Sequence, residues 1–231
     1  MSCTEIGNKN YSSWSMRPWL VMKHFDLPMD EHLVAFDDFA ADGQFKKTMS
    51  VMSPTAKVPT LIDQEMVVWD SLAICEYLAE SFAEKHLWPI DKTQRARARS
   101  ISAEMHSSFT TLRQYCSMNI EADLRFIGTK LWNDLPTLRA EVARIEEIWA
   151  ERPEINGFLC GEFSIADAFY APVVMRLLSY GLPVSEQSQQ YMQNILANSA
   201  VNAWVMQAQA ERQFVQNQEP YRQHGEQFIR G

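Results

Sequence analysis

Thr60-Leu61-Ile62-Asp63-Gln64-Glu65-Met66-Val67-Val68-Trp69-Asp70-Ser71-Leu72-Ala73-Ile74 is the stretch that decides the fold. Two short runs, Thr60-Leu61-Ile62 and Met66-Val67-Val68-Trp69, flank a polar turn at Asp63-Gln64-Glu65 and predict a hairpin. Asp70-Ser71 then precedes an apolar pattern with Leu72, Ile74, Cys75, Tyr77, Leu78 and Phe82 on or near one face, which predicts a helix. Upstream, His32-Leu33-Val34-Ala35-Phe36 reads as a strand, followed by an acidic, glycine-containing loop from Asp37 to Gly43. Further back, Ser15-Met16-Arg17-Pro18 reads as a helix start. Ser15 is the expected N-cap, and Pro18 is expected in the first turn, where its missing N–H costs little. Leu20, Val21 and Phe25 give that helix an apolar face, and Leu27-Pro28 ends it. The order strand, helix, strand, loop, strand, strand, helix describes a small α/β sandwich.

Downstream the pattern changes. Past a linker around Leu87-Trp88-Pro89-Ile90-Asp91, which puts a boundary near residue 88, the periodicity is helical throughout. Ile101, Met105, Phe109, Leu112 and Cys116 form one apolar series, and Leu138, Val142, Ile145, Ile148 and Trp149 another. Ser164-Ile165-Ala166-Asp167 is a capping box with Asp in place of the usual Glu or Gln. It predicts a helix carrying Ile165, Phe169, Val173 and Leu177 inward, bent or loosened at Pro172. The polar segment from Glu219 to Gly231 is weakly patterned and reads as loosely ordered. The fold class is thus α/β followed by all-α.

The 231 residues suit one or two domains, and 46% hydrophobic content excludes a disordered chain. With 21 Lys+Arg against 29 Asp+Glu, and no dense basic run, nucleic acid is not an expected partner. The N-terminal residues lack the basic and apolar regions of a leader, and no apolar run approaches the roughly 20 residues that span a bilayer. No membrane partner and a cytoplasmic location are expected. Cys3, Cys75, Cys116 and Cys160 are scattered without a Cys-x-x-Cys pair, which argues against a zinc site or a dithiol redox centre and for reduced, mostly buried thiols.

Ser12-Ser13-Trp14-Ser15-Met16-Arg17, Val58-Pro59-Thr60-Leu61 and Asp70-Ser71-Leu72-Ala73-Ile74 occur in this order. Together they resemble the N-terminal half of the cytosolic glutathione S-transferases, closest in pattern to the serine-type zeta class. In that class Ser-Ser-Cys-Ser begins the first helix, Gln-Val-Pro precedes the third strand, and Gln-Ser-Leu-Ala-Ile begins the third helix. The Ser164 to Asp167 box also matches the family. The resemblance implies a thioredoxin-like glutathione-binding domain over 1–85 and an all-helical domain over 92–231 that forms the electrophile pocket. It further implies glutathione as co-substrate, no metal, and a homodimer.

Chemistry gives these residue types their sense. A free thiol of pKa about 8.5 is mostly protonated at neutral pH, and each unit of lowering needs about 1.4 kcal/mol of preference for the thiolate. A hydroxyl at a helix N-terminus can donate to sulfur while the helix dipole favours its charge. By resemblance Ser12 is the first candidate for that donor and Ser13 the second. Tyr11 is the third, since another branch of the family uses tyrosine; equally, the serines can serve only to cap the helix. The resemblance implies that Val58-Pro59 is cis and presents the Val58 backbone to the cysteinyl part of glutathione. Ser71 would receive the γ-glutamyl carboxylate, with Asp70 near the ammonium, although Asp-Ser before an apolar helix is also an ordinary cap. Lys57, where the zeta pattern has Gln, either meets the glycyl carboxylate or is a solvated surface lysine.

Trp14 replaces the zeta-class cysteine. A bulky indole beside the sulfur changes access and substrate choice, and counts against maleylacetoacetate isomerisation. His106, Phe109 and Arg113, spaced i, i+3, i+7 on an expected helix, share a face. That face is either a pocket wall with an anion-binding Arg113 or an interhelix or subunit contact. The resemblance implies conjugation of glutathione to a small electrophile. Glutathione-dependent isomerisation or peroxide reduction, and a non-catalytic glutathione-binding regulatory module, are the rivals. A cysteine-type thiol reductase is disfavoured because no cysteine lies in 11–15.

Overall fold

In a computed structural model that describes residues 2–224, strand β1 (Ser2–Ile6) lies inside a four-stranded sheet of order β2-β1-β3-β4. It pairs in parallel with β2 (Asp30–Leu33) and antiparallel with β3 (Thr60–Asp63), which turns at Gln64-Glu65 into β4 (Met66–Trp69). A parallel pair needs a crossover, and helix α1 (Ser13–His24) supplies it. Helices α2 (Gln44–Met52) and α3 (Ser71–Ser81) complete the order βαβαββα of a thioredoxin-like domain.

Helices follow without further strands among the described residues. They are α4 (Lys92–Ser107), α5 (Thr110–Tyr115), α6 (Arg125–Asp134), α7 (Pro136–Ala150), α8 (Ile165–Tyr180), α9 (Glu186–Ala197) and α10 (Ser199–Glu211). Helix α8 is the hub, buried along nearly its whole length and packed on α1, α4 and α6. Gly128 permits the α6 approach, since a Cβ there would lie 1.7 Å from the Tyr180 carbonyl oxygen. One apolar core runs from Ile6, Leu20 and Ile74 through Phe169 and Val173 to Trp204, so both halves share it. No helix among the described residues is long and apolar enough to cross a membrane.

The structure departs from the sequence reading at several points. Helix α1 starts at Ser13 with Ser12 as N-cap, rather than at Ser15, and Pro18 lies inside it rather than in its first turn. Strand β2 ends at Leu33, although the Val34 N–H still reaches the Ile6 carbonyl at 2.8 Å; the chain then leaves the sheet because the Asn8 side chain takes the Phe36 N–H at 2.7 Å. Helix α2 had no sequence signal: Gly43 caps it without a side-chain bond, and only Phe45 and Met49 are buried, in a small cluster with Phe36 and Phe39.

The Ile101 to Cys116 series is divided between two helices. Phe109 sits at φ 54° between them, and the apolar period survives only because both helices face the same core. The segment from Glu219, read as loose, is tied down where it is described. Glu219 is 3% exposed, and Arg222 is buried against Glu219 and Glu121. Residues 225–231 of that segment lie outside the described residues.

Candidate active site

The loop ahead of α1 is held by side chains rather than by a sheet. Asn10 accepts the Ile120 and Glu121 N–H groups at 2.7 and 2.9 Å and donates to Asn119 at 3.1 Å. The Trp204 indole donates to the Lys9 carbonyl at 3.0 Å, and Glu211 accepts the Lys9 N–H at 2.8 Å. Buried polar groups so fully bonded hold a single backbone path. That path delivers Tyr11, Ser12 and Ser13 to the start of the helix.

The hydroxyls of Tyr11, Ser12 and Ser13 have different partners. Tyr11 donates to Glu219 Oε1 at 2.7 Å, and burial together with that carboxylate pushes its pKa up, so it stays a phenol committed to the C-terminal segment. Ser12 donates to Ser15 Oγ at 2.7 Å and accepts the Ser15 N–H at 3.4 Å as N-cap. Ser13 accepts from Arg176 Nη2 at 3.1 Å. A hydroxyl carries one hydrogen. That of Ser12 is spent inside the helix turn, whereas that of Ser13 remains to be directed elsewhere.

Tyr11, Ser12, Ser13, Trp14, Arg113 and Arg176 contribute to the lining of a cavity of about 560 Å³. A second, of about 300 Å³, is lined by Thr55, Lys57, Val58, Pro59, Trp69, Asp70 and Ser71. Trp14 and Val58 belong to both linings, so the two adjoin across the indole. The Val58–Pro59 bond is cis. Asp70 caps α3 by accepting the Leu72 N–H at 2.8 Å, while its own φ is 75°, a conformation of the kind that persists where surrounding structure holds it. Its other oxygen lies 3.2 Å from His106 Nε2.

The electrostatics are strongly one-sided. Arg17 is buried beneath the Trp14 ring at 4.2 Å and donates to Ser71 Oγ at 3.4 Å. Burial, with repulsion from Arg176 and Arg113, lowers its pKa to about 9. Burial lowers that of Arg176 to about 10, and both remain cations at neutral pH. Arg113 stacks over Trp14 at 5.6 Å and gives one hydrogen to the His106 carbonyl at 3.0 Å. The Nε of each of these guanidiniums is buried without a partner. Arg176 and Arg113 both repel Arg17, and Arg113 repels Arg176, so the three cations form a site that an anion would relieve.

Of the residues singled out from sequence, Ser12, Ser13, Trp14 and Arg113 meet at one cavity, and Lys57, Val58, Pro59, Asp70 and Ser71 at the other. Phe109 is turned into the core at 5% exposure, and the helix break leaves His106 and Arg113 on separate helices. His106 stands behind Trp14, edge to face at 5.3 Å. Arg17, Arg176 and Glu219 were missed. Arg176 had a signal in the sequence, as a cation within the apolar run Val173-Val174-Met175-Arg176-Leu177-Leu178, a position rarely filled without a role.

Comparison with known proteins bears on the family and the fold. The family model described as "Glutathione S-transferase, N-terminal domain" matches residues 11–81, and "Glutathione S-transferase, C-terminal domain" matches 121–205. A stringent starvation protein A homolog of Pasteurella multocida is 26% identical over 69% of this chain and 71% of its own length. Further homologues of that protein are matched over only 57 to 63% of theirs. A probable maleylacetoacetate isomerase of Caenorhabditis elegans is 35% identical, over 43% of this chain and 44% of the relative. The crystal structure of a glutathione transferase homolog from Burkholderia, with bound glutathione, superposes with a TM-score of 0.62 at 26% identity, covering 90% of this chain and 98% of that one.

Proposed function

From the premise that this chain belongs to the glutathione S-transferase family, we propose that it binds glutathione and adds its thiolate to a small electrophile that carries a negative charge. The observation that carries this reading is the hydrogen-bond arrangement at Ser13, whose oxygen accepts from buried Arg176 and whose hydrogen is therefore available to a sulfur in the cavity. The tripeptide lies in the smaller cleft. Lys57 meets the glycyl carboxylate, the Val58 backbone the cysteinyl unit, and Ser71 with Asp70 the γ-glutamyl end. The thiol then reaches past Trp14 toward Ser13.

There the Ser13 hydroxyl and the nearby guanidiniums favour the charged sulfur, and the thiol proton leaves to solvent. The electrophile occupies the larger cavity, its anionic group against Arg113 and Arg176; the sulfur forms the new bond to its electrophilic carbon, and the leaving group, chloride in a chloroarene, departs to solvent with the electron pair of the bond it breaks. In this reading residues 1–85 bind glutathione and 92–231 build the second wall. The protein acts in the cytoplasm as a homodimer, an assembly supported by the exposed Met66 and Trp69 of edge strand β4.

Two related activities share this geometry. An isomerase of the kind named for the nematode relative would add and then expel the same thiolate, and the three guanidiniums, each with its Nε still without a partner, suit an acidic substrate. A binding module akin to the starvation protein homologues would hold glutathione without turnover. Calorimetric titration with glutathione, followed by turnover of a chloroarene with and without a ring carboxylate, tests the proposal. Binding with faster turnover of the carboxylate compound is expected. Binding without turnover of either compound overturns the transferase reading in favour of a binding module, and absence of binding removes glutathione from the account.

A further inference from the structure

Away from the cleft, on the β2 side of the sheet, three side chains of different chemistry converge. Cys3 and Glu5 are two residues apart on β1 and so project from one face, and the parallel register sets His32 opposite Glu5. Cys3 Sγ lies 3.2 Å from His32 Nδ1, His32 Nδ1 lies 3.2 Å from Glu5 Oε1, and Cys3 Sγ lies 3.4 Å from the same oxygen. A tetrahedral ion with Zn–N and Zn–O near 2.0–2.1 Å and Zn–S near 2.3 Å holds its ligand atoms roughly 3.4 to 3.6 Å apart. The triangle needs to open by only a few tenths of an ångström to accept one.

Hydrogen bonding alone leaves this cluster incomplete. The thiol and the imidazole each bring at most one hydrogen to three short edges, so at least one edge has none. Glu5 is 2% exposed, and its second oxygen, Oε2, is buried without a partner. A buried carboxylate needs hydrogen-bond donors or a cation; Oε2 has no donor, and among the described residues the ion pair of Glu5 is with His32, whose side chain is 62% exposed. Asp30, paired with Cys3 in the ladder, adds a further carboxylate rather than relieving one.

We propose that Cys3, Glu5 and His32 bind one divalent transition-metal ion of the zinc class, with water as the fourth ligand. Thiolate and imidazole select a borderline ion over magnesium or calcium, and one thiolate plus one carboxylate neutralise its two charges. On binding, the Cys3 S–H bond is exchanged for an S–metal bond and the proton passes to solvent. His32 ligates through Nδ1 and keeps its hydrogen on Nε2, and no oxidation state changes. The ion would clip β2, an edge strand whose four residues are all exposed, onto β1. That strand leads into the segment whose Phe36 and Phe39 line the larger cavity, so the clip supports the cavity wall.

The test is titration of the full chain, stripped with a chelator and free of glutathione, with cobalt(II) as probe. The expected result is saturation at one equivalent, with the intense visible bands of a tetrahedral ion, a thiolate-to-cobalt charge-transfer band, and displacement of both by zinc. Cys3→Ser should abolish the charge-transfer band, since Cys75, Cys116 and Cys160 are buried elsewhere. His32→Ala, at an exposed position that folding tolerates, should weaken cobalt binding on the order of a hundredfold and abolish the rise in melting temperature that zinc gives the parent. A weak octahedral spectrum, a charge-transfer band that survives Cys3→Ser, or equal affinity in His32→Ala would overturn the proposal.

Discussion

Helices α1 and α8 both begin on a buried serine N-cap, yet their N-termini have opposite characters. At α8 the chain closes on itself: Ser164 accepts the Ala166 N–H at 3.3 Å, and Asp167 accepts the Ser164 N–H at 3.0 Å, the Leu159 N–H at 2.9 Å and the Tyr191 hydroxyl at 3.1 Å. At α1 no acidic residue stands in the first turn, and what arrives instead is a cation, Arg176, from α8 itself. The first terminus is saturated by its own neighbourhood and carries structure. The second opens on a cavity with positive charge in excess, so an anion can complete it. The comparison teaches that a serine at a helix N-terminus acquires a chemical role from what faces it across the fold, as Ser13 does from Arg176, and not from capping, which falls to Ser12.

The sharpest way to break the comparison is to remove the carboxylate that closes α8. Asp167→Ala leaves the Leu159 and Ser164 N–H groups and the Tyr191 hydroxyl buried and unpaired, and should lower unfolding free energy by about 3 kcal/mol in urea denaturation. Glutathione affinity of the folded fraction should be unchanged; a fall in affinity at unaltered stability would mean that α8's box belongs to the site. At α1 the expected loss is functional. Ser13→Ala should raise the pKa of bound glutathione by roughly one to two units, since a hydrogen bond to a charged group is worth about 1.5 to 3 kcal/mol. The thiolate absorbance against pH reads this directly. If Ser12→Ala moves that titration and Ser13→Ala does not, the donor assignment passes to Ser12.

Smaller effects sharpen the contrast further. Ser164→Ala should cost about 0.5 to 2 kcal/mol of stability with no change in the thiol titration. Ser12→Ala should cost stability of similar or lesser size, because its capping bond to the Ser15 N–H is long at 3.4 Å. The smallest effect is a pH dependence. Burial outweighs the bonds to Asp167 and raises its pKa to about 6 from 3.8, so the folded state binds a proton that the unfolded state has released between those values. Its stabilising contribution is fully present below about pH 4 and is lost as pH rises toward 6. The difference in melting temperature between the parent and Asp167→Asn should therefore shift against the parent across that window; a flat difference would show that the bonds, not burial, set its ionisation.

Legibility in the sequence followed the range of the interactions. The hairpin Thr60–Trp69, the start of α3 at Asp70-Ser71 and the Ser164–Asp167 box are built from contacts within a few residues, and each could be read from its own stretch. Helix α2 escaped because its cap is a glycine and its two buried residues find their partners, Phe36 and Phe39, in another segment. The break at Phe109 escaped because apolar periodicity records which way side chains face, not whether the backbone between them is continuous. Glu219 escaped because a polar residue in a polar segment gives no sign that Tyr11, Asn119 and Arg222 will surround it.

By itself, then, the sequence determined the hairpin and the starts of α3 and α8, the α/β-then-helical architecture and the small set of hydroxyls at the head of α1, because turn chemistry, capping and periodicity act locally. The tertiary structure alone decided which hydroxyl keeps a free hydrogen, since that depends on Arg176 reaching Ser13 from 163 residues away. It also decided that Cys3 and Glu5 stand beside His32. No linear spacing of cysteines announces that triangle; strand register makes it, by setting side chains 27 residues apart within bonding distance of one another.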